Sequence, residues 1–121
     1  MQFNTLTCKV DTSDRKSDDP CKICECRKRP NDNTLVINCS KMKLESSPEY
    51  IDSTGFSKAE LNLGMNNLRS APSLDQPGYE NVYKLNLSYN EIETLNKSIL
   101  SPNIEVRNPY IYFTFDFKYN Y

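Results

Sequence analysis

The feature that most constrains the fold is a repeat in the middle of the chain. Residues 61–68 read Leu-Asn-Leu-Gly-Met-Asn-Asn-Leu, and residues 85–92 read Leu-Asn-Leu-Ser-Tyr-Asn-Glu-Ile. Both segments fit the pattern L-x-L-x-x-N-x-[LI], and every matching position is shifted by 24 residues. A fixed period of roughly 20 to 29 residues is typical of repeat proteins in which each structural unit stacks on the next.

A weaker copy of the repeat precedes these two. The positions of Leu61, Leu63 and Leu68 are occupied, 24 residues earlier, by Ile37, Cys39 and Leu44. Met42 replaces the repeated asparagine in this copy, so the unit is degenerate although its apolar positions are kept. The longer repeat pattern L-x-x-L-x-L-x-x-N-x-L begins with an apolar residue, which we call its leading edge. Val82 fills this position three residues before Leu85, whereas Lys58 occupies it one repeat earlier. The first full repeat is therefore expected to have an imperfect leading edge.

This pattern predicts a leucine-rich-repeat solenoid with short parallel strands and an irregular convex side. In a Leu-x-Leu strand alternate side chains point inward, and each coil buries its apolar side only against the next coil. The predicted repeat core is Leu61, Leu63, Leu68, Val82, Leu85, Leu87 and Ile92. Asn66 and Asn90 are expected to turn inward as an asparagine ladder that satisfies backbone groups, rather than to contact a ligand. An ordinary pair of amphipathic strands is the simpler alternative.

A cluster of cysteines lies immediately before the first recognisable coil. Cys21, Cys24, Cys26 and Cys39 follow the spacing C-x2-C-x-C-x12-C. A disulfide-tied hairpin here would cover the apolar end of the solenoid, although spacing alone allows three pairings of four cysteines. A four-cysteine zinc site is an alternative, but the second C-x2-C knuckle is missing. A redox motif at the first two cysteines lacks the surrounding βαβ pattern.

The composition excludes several classes of function. A formal net charge of -1 gives no support for a nucleic-acid partner. The absence of histidine excludes a His-based triad and His-ligated metals, and no glycine-rich phosphate loop is present. No apolar run reaches the roughly 18 residues of a membrane span, and no apolar stretch follows Met1 as in a signal peptide. We therefore expect no enzymatic activity, no catalytic residues, no cofactor and no metal.

The cysteine cluster resembles the cysteine-rich N-terminal flank of extracellular leucine-rich-repeat proteins. In that family the first cysteine pairs with the third and the second with the fourth, which implies the disulfides Cys21–Cys26 and Cys24–Cys39. Cys8 is then left unpaired, and residues 6–8 look like the end of a C-terminal cysteine flank that closes an earlier array. The polar residues 11–20 between them are expected to form an exposed linker.

A closing flank, a short linker and a new opening flank occur together in insect Toll receptors. Residues 77–80, Pro-Gly-Tyr-Glu, resemble the stretch that enters a repeat of the Toll juxtamembrane module. Residues 35–39 look like the strand that closes its opening flank. The resemblance covers about residues 6 to 106 and implies a position on the extracellular side of the plasma membrane.

The same resemblance implies a function and a partner. It points to a glycoprotein segment of a receptor ectodomain that acts as a protein-interaction and spacer module in innate immune or developmental signalling. The implied partner is a Spätzle-type cystine-knot ligand or a receptor partner, although much of the ligand contact in that family lies in a first array that this chain does not include. The alternatives are a truncated product without independent activity and an unrelated secreted leucine-rich-repeat binding protein.

The chain divides into four parts in this interpretation. Residues 1–20 hold the end of an upstream flank and a linker, residues 21–48 the cysteine-rich cap, and residues 49–106 the repeats. Residues 107–121 form an atypical aromatic tail, because Arg107 and Pro109 stand where the next strand requires apolar residues. The tail is either a strand that closes the solenoid or an unrelated end, and the sudden loss of pattern favours the unrelated end.

Three surface features complete the expectations. Of the glycosylation sequons at Asn38, Asn86 and Asn96, the last is favoured, followed by Asn86, and Asn38 is disfavoured because a disulfide cysteine follows it inside a strand. The run Arg27-Lys28-Arg29 is expected to be a solvated loop of the cap. The outward strand positions that should line the concave face are Glu60, Asn62, Lys84 and Asn86.

Overall fold

The computed structural model describes residues 8–93, together with the backbone of residues 112–114. These residues form one sheet of six strands, which lie side by side in chain order. The strands are β1 (Cys8–Lys9), β2 (Glu25–Arg29), β3 (Thr34–Asn38), β4 (Lys58–Asn62), β5 (Val82–Asn86) and β6 (Tyr112–Thr114). Two short 3-10 helices, Pro20–Lys22 and Tyr79–Asn81, lie in the connections that precede β2 and β5.

The sheet has an antiparallel cap and a parallel repeat region. Strands β1, β2 and β3 are antiparallel neighbours, whereas β3, β4, β5 and β6 are parallel. Ile37 pairs with Leu61, and Leu61 pairs with Leu85, so the register follows the 24-residue period of the sequence. Parallel neighbours need a long crossover, and the connections from β3 to β4 and from β4 to β5 run back along an irregular convex side. The prediction of a leucine-rich-repeat solenoid with a disulfide-capped hairpin is confirmed.

The inward side chains of successive strands form one continuous core. None of the seven predicted repeat-core residues is more than 1% exposed: Leu61, Leu63, Leu68, Val82, Leu85, Leu87 and Ile92. Ile37 and Cys39 of the weak copy are equally buried, so the degenerate unit still works as a coil. Ile51, Leu74 and Tyr79 enter the same core from the convex connections.

The expectation of an imperfect leading edge at Lys58 is wrong. Val82 pairs with Ala59 rather than with Lys58, because a register shift between Ala59 and Glu60 leaves Tyr83 as an extra residue in β5. Such a bulge sets two residues of one strand against one of its neighbour. Ala59 is therefore the buried leading residue of the first full repeat. The Lys58 ammonium instead lies 4.5 Å from the centre of the Tyr83 ring.

The Pro-Gly-Tyr-Glu entry of the second full repeat has a steric origin. Gly78 has φ of +88°, and a Cβ added there would lie 1.7 Å from the carbonyl oxygen of Ile51, so only glycine permits this close approach. The next residue, Tyr79, is buried in the core and donates from its hydroxyl to the carbonyl oxygen of Pro48 at 2.5 Å. Burial raises the pKa of Tyr79 well above its usual range. The motif therefore packs the connection before β5 against the connection before β4.

The segment before the cysteine cluster is mostly exposed along residues 11–18, as expected, but it is tied to the cap and to the first repeat connection at several points. Strand β1 pairs with β2, and the Val10 amide donates to the carbonyl oxygen of Cys26 at 3.1 Å. The guanidinium of Arg15 lies 2.6 Å from the carboxylate of Asp19, which is fully buried, and it also donates to the carbonyl oxygen of Asp52 at 2.7 Å. Most charged residues of the segment are exposed, whereas Asp19 is buried and is paired with the partly buried Arg15.

Part of the aromatic tail forms a strand, which fits the alternative of a strand that closes the solenoid. Residues Tyr112–Thr114 form β6, which continues the parallel sheet beside β5. Tyr112 pairs with Lys84, which lies 28 residues earlier, so the last step is longer than the repeat period. Aromatic and β-branched residues favour strands, and residues 110–115 are made up of them. The repeat pattern does not indicate this strand, because Tyr112 pairs with a residue 28 positions earlier rather than 24.

Candidate functional site

The repeated asparagine of the first full coil, Asn66, is a buried structural residue. Its Oδ1 accepts hydrogen bonds from the backbone amides of Met42 and Leu44, both at 3.0 Å. Its Nδ2 donates to the carbonyl oxygens of Cys39 and Leu63 at 2.9 Å and of Gly64 at 3.1 Å. Because all these partners are backbone groups, the side chain satisfies the polar atoms exposed where two coils leave the sheet.

Asn90 repeats this arrangement one coil later. Its Oδ1 accepts from the amide of Leu68 at 3.0 Å. Its Nδ2 donates to the carbonyl oxygens of Leu63 at 2.9 Å, Leu87 at 3.1 Å and Ser88 at 3.3 Å. Both residues are buried, with 6% of Asn66 and 5% of Asn90 exposed. The ladder therefore belongs to the scaffold and leaves ligand contact to other residues.

The cysteines form a cap over the open end of the first coil. Cys21 is bonded to Cys26 with their Cα atoms 5.4 Å apart, and Cys24 is bonded to Cys39 with Cα atoms 4.9 Å apart. The second bond joins the cap to the core of the first coil, because Cys39 is completely buried there. Cys8 is a free, exposed thiol on β1. Within residues 8–93 no cluster of three or more metal-ligating side chains occurs.

The concave face of the sheet carries a shallow groove. Its lining combines the outward residues of three parallel strands: Val36, Asn38, Glu60, Asn62, Lys84 and Asn86. The sheet register arranges the asparagines as Asn38, Asn62 and Asn86 side by side across the strands, and we call these three residues the asparagine row. The four concave positions expected from the sequence are thus brought together in one groove.

The asparagine row has a fixed orientation. The Oδ1 of Asn38, Asn62 and Asn86 accepts a hydrogen bond from the backbone amide two residues later, at 3.1, 2.9 and 2.9 Å respectively. Since only the oxygen can accept, these bonds fix which way each side-chain amide is turned. Gly64 provides room for this packing, because a Cβ there would lie 3.1 Å from the Oδ1 of Asn62 and 3.4 Å from the Nδ2 of Asn86.

Beside the groove lies a network of charged side chains that the sequence did not reveal. The guanidinium of Arg29 donates to Glu60 at 2.6 Å and to the Tyr83 hydroxyl at 3.0 Å, and that hydroxyl donates to Glu60 at 2.6 Å. Arg29 also contacts Asp32 at 3.1 Å, and Lys58 lies 3.6 Å from the same carboxylate. Apart from Asp32, which is three residues from Arg29, the members of the network lie on β2, β4 and β5, so no local sequence signal could have indicated them.

The network corrects the interpretation of the basic run. Arg27, Lys28 and Arg29 belong to β2 rather than to a solvated loop. Arg27 pairs with Glu25 at 2.9 Å at the surface, whereas Arg29 is held across the sheet by Glu60 and Tyr83. Alternation along β2 places these two arginines on the concave side and leaves Lys28 exposed.

The network keeps its carboxylates ionised. The hydrogen bond from Arg29, followed by that from Thr34, lowers the pKa of Asp32 to about 2. Burial raises the pKa of Glu60, but the hydrogen bonds from Tyr83 and Arg29 together lower it further than burial raises it. Burial and the neighbouring Glu60 carboxylate raise the pKa of Tyr83. Hydrogen bonds to the charged form of a carboxylate favour that form.

The remaining predicted residues are placed as follows. Asn86 is a half-buried member of the asparagine row, and Asn38 is exposed. Asn96 lies outside the described residues. Among residues that the structure describes, no helix has the length and apolar character needed to cross a bilayer.

Comparison with known proteins places this geometry in context. No protein-family profile matches the chain. The chain is 34% identical to the protein Toll of Drosophila melanogaster over 106 residues, which cover 86% of this chain and 10% of Toll. The chain therefore spans about a tenth of the length of the curated relative that it matches.

Two solved structures of the Drosophila Toll–Spätzle complex contain a chain with the same fold. One superposes with a TM-score of 0.63 and 25% identity, covering 99% of this chain and 17% of the matched chain. The other, of the glycosylated form, gives a TM-score of 0.59 and 24% identity with the same coverage. The second likeness bears on the fold alone.

These similarities agree with a chain whose asparagine ladder, disulfides and charged network are structural. Toll receptor ectodomains are binding modules without enzymatic activity, so the prediction that the chain is not an enzyme is confirmed. The sequence match covers most of the chain, and the structural match extends over nearly all of it. Taken with the capped repeat, they identify the chain as a leucine-rich-repeat segment of a Toll-family receptor ectodomain.

Proposed function

We propose that this segment is an extracellular spacer and protein-interaction module of a Toll-like receptor in innate immune or developmental signalling. On this hypothesis, it holds neighbouring parts of the ectodomain at a fixed geometry while a Spätzle-type cystine-knot ligand or a receptor partner is bound. Its position in the parent receptor is the extracellular side of the plasma membrane. The similarity to Toll over 86% of the chain supports this assignment.

The observation that carries the proposal is the attachment of the cap strand to both of its neighbours. Strand β2 pairs with β1 on one side and with β3 on the other, and the Cys24–Cys39 disulfide joins the cap to the first coil. Arg15 adds a third tie, because it contacts both Asp19 and the backbone of Asp52. Because the cap is connected at several points, it holds the segments on its two sides in a fixed relative orientation. A flexible linker does not do this.

A receptor chimera tests the proposal. The segment of Drosophila Toll that aligns with this chain would be replaced by the aligned residues of this chain. We expect the chimera to reach the cell surface and to activate a reporter in response to Spätzle at nearly the level of unmodified Toll. The matched control replaces the same segment with a glycine-serine linker of equal length, which should reach the surface but signal weakly.

The possible outcomes separate the hypotheses. A chimera that is retained inside the cell would support a truncated product without independent activity. A chimera that reaches the surface but gives no Spätzle response would support an unrelated secreted leucine-rich-repeat binding protein. Equal signalling by the flexible-linker control would show that no fixed geometry is needed, and the spacer role would be rejected.

A further inference from the structure

We propose that Asn38 and Asn86 both carry N-linked glycans, and that these glycans lie over the concave groove and close it to protein partners. The proposal rests on the extracellular role proposed above, because these glycans are added in the secretory pathway. It assigns the groove to the chain's own carbohydrate, and it leaves protein contacts to the other surfaces of the module.

The first argument is the geometry of the two sequons, Asn38-Cys39-Ser40 and Asn86-Leu87-Ser88. Each asparagine points to the concave side, while the middle residue points into the core, where both Cys39 and Leu87 are 0% exposed. The disulfide that made Asn38 a poor candidate from the sequence therefore lies on the opposite side of the strand. It does not block access to the asparagine side chain, which is exposed.

The second argument is the state of the acceptor atom. N-glycosylation forms a bond between Nδ2 and the anomeric carbon of a sugar; Nδ2 loses one proton, and the pyrophosphate of a lipid-linked oligosaccharide donor departs. In Asn38 and Asn86, backbone amides hold Oδ1, and no described residue accepts a hydrogen bond from Nδ2. Modification there costs no existing bond. The ladder residues Asn66 and Asn90 differ, because each donates three bonds from a buried Nδ2.

The third argument is the spacing of the two sites. Asn38 pairs with Asn62, and Asn62 with Asn86, so the sequons stand two strands apart in one row. Neighbouring strands are about 4.8 Å apart, which sets the two attachment points roughly 10 Å apart across the groove. Asn62 lies between them and is followed by Leu63-Gly64, which is not a sequon. A glycan is bulky and hydrophilic, so two of them flank and cover Asn62 and its neighbours.

The modification is tested on the full chain directed into the secretory pathway of insect cells. Peptide mapping, with and without enzymatic glycan removal, should find glycans on Asn38 and Asn86 and none on Asn62. The variants Asn38→Gln and Asn86→Gln should each lose the mass of one glycan, whereas Asn62→Gln should lose none. Mapping the lumenal fraction as well as the medium keeps the result independent of secretion yield.

The covering of the groove is tested by amine acylation of the folded glycoprotein. Lys84 is exposed in the protein chain and lines the groove, while Lys22 is exposed on the cap. We expect native glycan removal to raise the acylation rate of Lys84 several-fold and to leave that of Lys22 unchanged. An equal rate at Lys84 before and after removal would overturn the covering role.

The same experiment distinguishes this proposal from the proposed function. If either asparagine is unmodified in chains that have formed the Cys21–Cys26 and Cys24–Cys39 disulfides, the glycan proposal is wrong while the extracellular module stands. If the lumenal chain keeps its cysteines reduced, the extracellular role is wrong, and the glycan map still decides the modification.

Discussion

The side-chain amide of Asn90 donates to the carbonyl oxygen of Leu63 at 2.9 Å, and this bond joins the second full coil to the coil before it. Asn66 makes the equivalent bond, also of 2.9 Å, to Cys39 of the weak first coil. The first coil has Met42 in place of the asparagine, yet the Met42 amide is satisfied by the Oδ1 of Asn66. Each ladder asparagine thus forms hydrogen bonds with the backbone of the preceding coil. The first coil therefore does not need an asparagine at position 42 to satisfy its own backbone groups.

Asn66→Ala is therefore expected to destabilise the fold by about 2 to 4 kcal/mol. The substitution removes five hydrogen bonds, three of them from the buried Nδ2, and takes the Oδ1 acceptor from the part-buried amides of Met42 and Leu44. Unsatisfied buried polar groups cost about 1 to 3 kcal/mol each before the structure relaxes or admits water. The free energy of unfolding, measured by urea denaturation of the oxidised chain, gives the cost directly.

Asn62→Ala is the matched control for the ladder. Asn62 is half-buried and donates no hydrogen bond to another described residue, while its Oδ1 accepts one from Gly64 at 2.9 Å. Losing a single partly exposed bond should cost about 1 kcal/mol or less. Similar losses for Asn62→Ala and Asn66→Ala would contradict the assignment of Asn66 as the buried ladder residue.

Two glycines with nearly the same backbone angle provide a second prediction. Gly78 and Gly55 have φ of +88° and +86°, but an added Cβ would collide with Ile51 at Gly78 and meet nothing within 4 Å at Gly55. Gly55→Ala should cost only the conformational strain of about 1 to 2 kcal/mol. Gly78→Ala should cost roughly 3 kcal/mol or more, since the overpacking of about 1 to 3 kcal/mol is added.

Thermal or chemical unfolding of the two alanine variants measures this difference. Circular dichroism should show Gly55→Ala unfolding slightly below the wild type and Gly78→Ala far below it or not folding. If the two variants are equally stable, the close approach of Gly78 to the backbone of Ile51 is not present in solution.

The sequence predicted the repeat region well because its period is read directly from residues such as Leu61 and Leu85, whose contacts repeat at a fixed interval. It did not reveal the Arg29–Glu60–Tyr83 network, because those partners are 31 and 54 residues from Arg29. It also missed the bulge at Tyr83, which shifts the register by one residue without changing the repeat length. Contacts that depend on register or on non-local charge pairing leave no periodic signal.

The acidic part of the network gives a third prediction. The folded-state pKa of Asp32 is about 2, below its usual value of 3.8. A carboxylate with a depressed pKa adds stability above its unfolded pKa, and this stability is lost as the pH falls from about 4 toward 2. Asp32→Asn should therefore lower the melting temperature at neutral pH but have little effect near pH 2.

The measurement is the melting temperature of wild type and Asp32→Asn across this pH range. Other acidic groups with lowered pKa values, such as Asp52, weaken both proteins on acidification, so the difference between the two curves is the informative quantity. A difference that stays constant from neutral pH to pH 2 would show that Asp32 does not interact with Arg29 through its charge.

The buried pair of Arg15 and Asp19 gives the last prediction. Their side chains are 9% and 0% exposed, and they lie 2.6 Å apart. Arg15→Met leaves an unpaired carboxylate in the interior and should cost about 3 to 5 kcal/mol, and Asp19→Leu should cost a comparable amount. The double variant should lose much less than the sum, because no uncompensated charge remains. Urea denaturation of the four proteins yields this coupling energy.

The surface pair Arg27 and Glu25 is the control for this cycle, because its side chains are 42% and 53% exposed. Glu25→Gln should cost about 1 kcal/mol or less, as is usual for exposed ion pairs. If Arg15→Met is equally harmless, the contact between Arg15 and Asp19 does not tie the segment to the cap. A large coupling between Arg15 and Asp19 would instead establish that this segment folds as part of the module, as a spacer that transmits orientation requires.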